Sequence, residues 1–199
     1  RKAYVSMVQA YNTFLAQDFC SVAPDRLIGN AVIPVSGIDD AVAELKRCKE
    51  LGLPSVALHQ FPNGSGGPKP EDDKFWETSL NLGMAISPHA SFGDRTPPVI
   101  MGAAGTGSQA FSNSLCQRMN VSPMFCLAQC IASGMLDRFP ELRIGIAETN
   151  ASWMPAALFF MDDNYAIFND WFKITLKMKP SEYIAKHFRF GIVRDPMAL

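Results

Sequence analysis

The sequence predicts an α/β fold of repeated strand–helix units. Short apolar runs alternate with stretches whose apolar residues recur at helical spacing, each pair filling roughly 25–50 residues. The longest turn-rich segments follow strand candidates. Strands that feed helices in this way pair in parallel, and the right-handed crossover rule leaves a TIM-type barrel or an open doubly wound sheet. No GxGxxG follows the first strand, which counts against a dinucleotide-binding sheet, whereas long loops after strands suit a barrel with its chemistry on the carboxyl face. A full barrel takes about 250 residues and eight strands. With 199 residues and five strand candidates, the expectation is an incomplete (β/α) barrel. It forms one domain over residues 1–199, its first and last strands lying outside the chain as given.

The elements follow in order. "VSMVQAYNTFLAQDFCSVAP" is helical in period and stops at Pro24. "RLIGNAVIPV" (residues 26–35) is a buried-strand candidate. "GIDDAVAELKRCKELGL" has Asp39 and Asp40 in its first turn, basic residues later and Gly52 as its stop, which is a well-signalled helix. "PSVALHQF" reads as a strand, "PNGSGGPKPEDD" as a loop, "KFWETSLNLG" as a helix and "MAISPH" as a third strand. After a loop-like segment over residues 90–120 come the helix "SPMFCLAQCIASGMLDRFP", the strand "ELRIGIAE" and the helix "SWMPAALFFMDDNYAIF". "PSEYIAKHF" is a short helix with Pro at its start, and "FRFGIV" is a fifth strand.

Composition narrows the function classes. The chain is 48% hydrophobic and 19% charged with a net charge of −1, the balance of an ordinary globular domain. No basic patch points to nucleic acid, and no apolar run approaches the ~20 residues that span a bilayer. The five cysteines are odd in number and none forms CxxC, so the expectation is buried free thiols in the cytoplasm. Cys126 and Cys130 lie at helix-face spacing, and Cys116 has no base near it in sequence.

Three strand candidates end on an ionisable residue: His59, His89 and Glu148. In a barrel such side chains reach into the site, where neutral imidazole binds Zn²⁺ and a carboxylate ligates or moves a proton. The alternative for each is a polar side chain bonded to its own loop. His187 precedes a strand and belongs to the opposite, stabilising face. "GAAGTGS" (residues 102–108) is glycine-rich but lacks the P-loop lysine; a phosphate-binding α/β protein built on it is a distant alternative. Asp162 with Asp163, and Glu71 to Asp73, read as solvated charges without the spacing of a calcium loop.

"YNTFLAQDFCSVAPDRLIGNAVIPV", "AVAELKRCKELGLPSVAL", "GMLDRFPELRIGIAETNASWMP" and "PSEYIAKHFRFGIVRDPMAL" together resemble the amidohydrolase-related metal-dependent barrel enzymes. These are relatives of aminocarboxymuconate semialdehyde decarboxylase and the hydroxybenzoate-type decarboxylases. The resemblance runs through nearly the whole chain in the right order. It implies a divalent metal, zinc first and manganese second, held by an HxH pair on the first strand, a middle-strand histidine and a last-strand aspartate. His89 matches the middle-strand histidine. No HxH and no last-strand "GSDYPH"-like segment occur, and both would lie outside the chain as given. Glu148 stands where the decarboxylase branch has a catalytic histidine, and "ETNASW" is closer to members that carry "ES(G/N)xxW".

The expected function is a metal-dependent enzyme acting on a small cyclic or aromatic carboxylate, by hydrolysis or by non-oxidative decarboxylation. His89 would be a ligand, and Glu148 would accept or donate a proton or position the metal-bound water, with His59, Phe61, Phe92 and Trp153 at the substrate unless the aromatic three are core residues. The alternative is a catalytically incomplete fragment, without metal, or a non-enzymatic binding or structural protein of the same fold. Partners are a small-molecule substrate and a second copy of the chain, with no nucleic acid and no membrane.

Overall fold

The computed structural model describes residues 1–89, 92 and 121–198. "GAAGTGS" and Cys116 lie outside the described residues. Five strands pair in sequential order, every neighbour parallel: β1 (Asn30–Val32), β2 (Ser55–Leu58), β3 (Ala85–Pro88), β4 (Ile144–Ile146) and β5 (Phe188–Phe190). Helices α2 (Ile38–Glu50), α3 (Asp73–Leu82), α4 (Val121–Ala132), α5 (Met135–Arg138), α6 (Met154–Phe172) and α7 (Pro180–His187) occupy the connections, and α1 (Lys2–Phe14) precedes β1. The predicted strand–helix alternation is therefore present in order.

The strands are shorter than their apolar runs and α1 ends at Phe14, before Pro24; three further differences in bounds have a visible cause. The helix expected over residues 122–140 is two helices, because Gly134 takes a left-handed φ of 71° between α4 and α5. α6 continues to Phe172 and ends with Lys173 in the left-handed region. The fifth strand stops at Phe190 instead of running to residue 193, because the Gly191 carbonyl turns to accept two N–H groups from the end of β4.

α2 shows why its sequence is helical and where it faces. Asp39 and Asp40 meet the positive end of the helix dipole and Arg47 and Lys49 the negative end, while Ala41, Val42, Leu45 and Cys48 are buried at i, i+1, i+4 and i+7. Its buried carboxylate, Glu44, is fully paired. Arg47 donates to both oxygens at 2.7 and 2.9 Å, and Asn12 Nδ2 donates at 2.7 Å. Burial pushes the Glu44 carboxyl up, but these bonds outweigh it and hold it below its ordinary value. The same pocket pushes the Cys48 thiol up to about 12, through burial first and the Glu44 charge second. Cys20, Cys126 and Cys130 are also free and buried, and burial raises the Cys126 thiol well above its ordinary value.

Asn12 also closes one edge of the sheet. Its Oδ1 accepts from Val32 N at 2.9 Å and its Nδ2 donates to Val32 O at 2.8 Å, so an α1 side chain takes the place of a neighbouring strand at that residue. Asp72, expected as a solvated charge, is instead fully buried: it accepts from Asn63 N, Asn63 Nδ2 and Lys69 N at 2.7–2.8 Å and ties down the loop after β2. Burial raises its carboxyl despite those bonds. No helix among the described residues is long and apolar enough to cross a membrane.

His187 ends α7 beneath the sheet, fully buried, and its Nδ1 lies 2.8 Å from Leu142 O, the position of a donated N–H. Burial lowers its basicity more than that bond raises it.

Two predictions follow from these buried polar groups. Asn12→Ala leaves the Val32 backbone pair and Glu44 short of partners and should cost about 2–4 kcal/mol in urea unfolding; an unchanged midpoint would refute the edge-closing role. His187 has a folded pKa below its unfolded value of about 6.5, so between the two the unfolded chain binds more protons. Its contribution is thus intact above pH ~6.5 and lost as pH falls below it. Asp39, Asp40 and Asp195 have lowered carboxyls, whose stabilisation is lost only on acidification below about pH 4. His187 should therefore make the unfolding free energy fall from pH 7 to pH 5, against the opposite pull of the raised Asp72 carboxyl, and His187→Gln should remove that fall; equal slopes in the two proteins would remove His187 as the cause.

Candidate active site

Parallel strands put all five carboxyl ends on one side, and the ends of β2, β3 and β4 bring three predicted residues together. His89 follows β3, its N–H donating to Leu58 O at 3.2 Å, and it forms an isolated bridge with Ala147, just after β4. Ala147 N donates to Pro88 O at 2.8 Å. With both backbones fixed, His89 Nε2 and Glu148 Oε2 meet at 2.8 Å across 59 residues of sequence. The His59 ring lies beside them, its centroid 6.2 Å from that of His89.

The pair faces solvent: the side chains of His89 and Glu148 are 42% and 60% exposed. An ion pair this open adds little stability. One proton is shared in this contact, between the imidazole nitrogen and the carboxyl oxygen. The arrangement offers one imidazole nitrogen and one carboxylate, reachable from water, which can pass a proton or bind a cation.

The backbone beneath Glu148 is unusual. Glu148 and Asn150 have φ of 61° and 54°, a region that costs a non-glycine residue on the order of 1 kcal/mol or more. The segment after β5 holds this turn. Thr149 N and Asn150 N both donate to Gly191 O at 3.0 Å, and Ala151 N and Ser152 N both donate to one Asp195 carboxylate oxygen at 2.7 Å. Asn150 Oδ1 accepts in return from Val193 N and Arg194 N at 3.0 and 3.2 Å. The bonds from Ala151 and Ser152 hold the Asp195 carboxyl below its ordinary value.

The aromatic candidates occupy other places. Phe61 and Phe92 are buried, their rings tilted against each other at a centroid distance of 4.8 Å within the core, so core packing is the role the structure gives them. Trp153 is half-buried and turned toward the turn: its Nε1 donates to Thr149 O at 2.9 Å and Asn150 O at 3.2 Å, and its ring sits edge-on to Phe190 at 5.8 Å. Gly191, Asn150 and Asp195 were not singled out in the sequence. The one local signal was "ETNAS", a small polar run directly after an apolar strand, where Asn tolerates the left-handed region.

As a metal site the donor set fits in kind and falls short in number. Imidazole and carboxylate suit a divalent ion, but catalytic zinc usually takes three protein ligands. Among the described residues no three His, Cys, Asp or Glu side chains gather in a position to hold an ion.

Comparison with known proteins adds the following. Residues 5–165 match the family model described as amidohydrolase. The chain is 27% identical over 205 residues to the 2-amino-3-carboxymuconate-6-semialdehyde decarboxylase of Dictyostelium discoideum, covering 98% of this chain and 52% of that protein. The crystal structure of 5-carboxyvanillate decarboxylase from Sphingomonas paucimobilis matches with a TM-score of 0.71 at 21% identity, over 95% of this chain and 55% of that one. The Novosphingobium aromaticivorans 5-carboxyvanillate decarboxylase, solved with manganese and 4-hydroxy-3-methoxy-5-nitrobenzoic acid, matches at 0.70 and 18% identity, over 93% and 52%. The chain thus spans about half the length of these relatives. At such identities the structural likeness establishes the fold: the five strand–helix units are part of a (β/α) barrel.

Trp153→Phe keeps the ring and removes the N–H that binds the turn. It should cost about 1 kcal/mol in denaturant unfolding; no change would mean that the indole only fills space.

Proposed function

The chain belongs to the amidohydrolase family, and on that premise we propose that His89 and Glu148 serve a metal-dependent decarboxylation of a small aromatic or cyclic carboxylate. The observation that carries the reading is their 2.8 Å contact at the carboxyl ends of adjacent parallel strands, where barrel enzymes do their chemistry. The names of the similar proteins, decarboxylases of carboxymuconate and carboxyvanillate, support the substrate class.

His89 Nε2 is the atom that would hold the ion, and it must give up its proton to do so. A bound divalent cation, zinc or manganese, supplies Lewis-acid polarisation of the substrate's oxygen atoms. Decarboxylation breaks the bond between a ring carbon and its carboxylate; CO₂ leaves and the electron pair stays on the ring carbon, which must then take a proton. Glu148 in its acid form gives that proton, and its exposure lets it be reloaded from water. His59, exposed beside His89, is placed to contact the substrate's polar groups. Phe61 and Phe92 serve from below as packing. Exposed Phe159, Phe160, Ile167 and Trp171 on α6 support the expected self-association.

The two-donor count favours a second reading, in which the chain by itself binds no ion and turns nothing over. Hydrolysis is the further option, favoured by Glu148 being a carboxylate, able to take a proton from water as a general base.

Metal analysis and a CO₂-release assay with 5-carboxyvanillate and 2,6-dihydroxybenzoate separate these readings. The enzyme reading expects about one equivalent of Zn²⁺ or Mn²⁺ after reconstitution and metal-dependent turnover. Glu148→Gln should lower kcat by about 10²- to 10⁴-fold, and His89→Ala should lose the ion. No ion and no CO₂ would establish the second reading for this chain.

A further inference from the structure

We propose that Gly191 and Asp195 are positioning residues that aim the Glu148 carboxylate at His89 by fixing the strained turn beneath it. The inference rests on the reading of Glu148 as the proton carrier. Four consecutive backbone N–H groups, from Thr149 to Ser152, have their acceptors in this one short segment: two on the Gly191 carbonyl and two on the Asp195 carboxylate. The segment is held in turn by Asn150 Oδ1. The Glu148 side chain meets His89 at 2.8 Å from this turn, so the turn's backbone conformation sets where that side chain starts. That backbone has a φ of 61°, which an unrestrained glutamate leaves for the right-handed or extended regions.

Gly191 is a glycine for space. It has no left-handed φ, but a Cβ there would stand 3.1 Å from Glu148 N, 3.4 Å from Ala147 Cα and 3.5 Å from Ile146 O. The closest of these is the nitrogen of the residue being aimed. Only the first is tighter than ordinary van der Waals contact, so relief comes from a shift of a few tenths of an ångström at the Glu148 nitrogen, which a tilt of the turn magnifies along the side chain. A misplacement of about 1 Å suffices to cost a reacting group two orders of magnitude in rate.

Crystal structures of the full chain and of Gly191→Ala read the effect directly. The expected result is a His89–Glu148 contact lengthened from 2.8 Å to beyond about 3.5 Å with the sheet unchanged. An unchanged contact overturns the proposal. If Gly191→Ala does not fold, Asp195→Ala carries the same test, and Asp195→Asn, which keeps an oxygen facing Ala151 and Ser152, should restore the contact; a contact unmoved in Asp195→Ala overturns the proposal.

Turnover of 5-carboxyvanillate with Mn²⁺ supplies the second readout. Gly191→Ala should lower kcat by about 10- to 100-fold with KM within about twofold, and should add nothing to the loss in Glu148→Gln. Independent, multiplying losses in the double variant would mean a merely structural role and overturn the proposal. A parent chain without turnover would sink the decarboxylase reading, while the contact distance would still decide the positioning role.

Discussion

The candidate site depends on the pairing of β3 with β4. The ladder is thin: Ile86 opposite Ile144, the His89–Ala147 bridge and the bond from Ala147 N to Pro88 O. Because the two strands are parallel, it places the first residues beyond both strands on the same side. A one-residue slip would turn every side chain of β4 to the other face and carry Glu148 away from His89. Ile86, Ile144 and Ile146 are buried, so the hydrophobic core resists that slip.

Around this ladder the chain spends its buried polar groups on closing edges and turns. Asn12 stands in for a strand beside Val32, Asp72 gathers the loop after β2, and Asp195 gathers the turn after β4. Each is a side chain that satisfies backbone groups where the regular ladder ends, which is where unpaired N–H and C=O groups cost most. His89 and Glu148 differ in spending their polar atoms on each other in the open. Hydrogen-bonded turns lie beneath the pair, and its two side chains are exposed.

The order and type of the elements were legible in the sequence because periodicity, charged first turns and Gly or Pro stops are local signals. The ends were less so. Gly134 splits a continuous apolar helix pattern, and Gly191 ends a strand whose apolar run continues through Ile192 and Val193. In both cases a glycine could be read as tolerated within the element, and only its neighbours decide. The aromatic candidates show the same limit: Phe61 and Phe92 lie near strand ends, yet bury themselves against each other, and Trp153 turns its N–H to the Glu148 turn.

The sequence by itself determined the parallel strand–helix alternation, the strand-end positions of His59, His89 and Glu148, and the resemblance to a metal-dependent barrel family, since these depend on residue type and short-range spacing. The tertiary structure decided which of those residues meet, and how Glu148 is aimed. That geometry comes from the β3–β4 register and from hydrogen bonds that residues 191–195 make to a turn more than forty positions earlier. Such bonds follow from how the strands pair in space and leave no periodic trace in the chain.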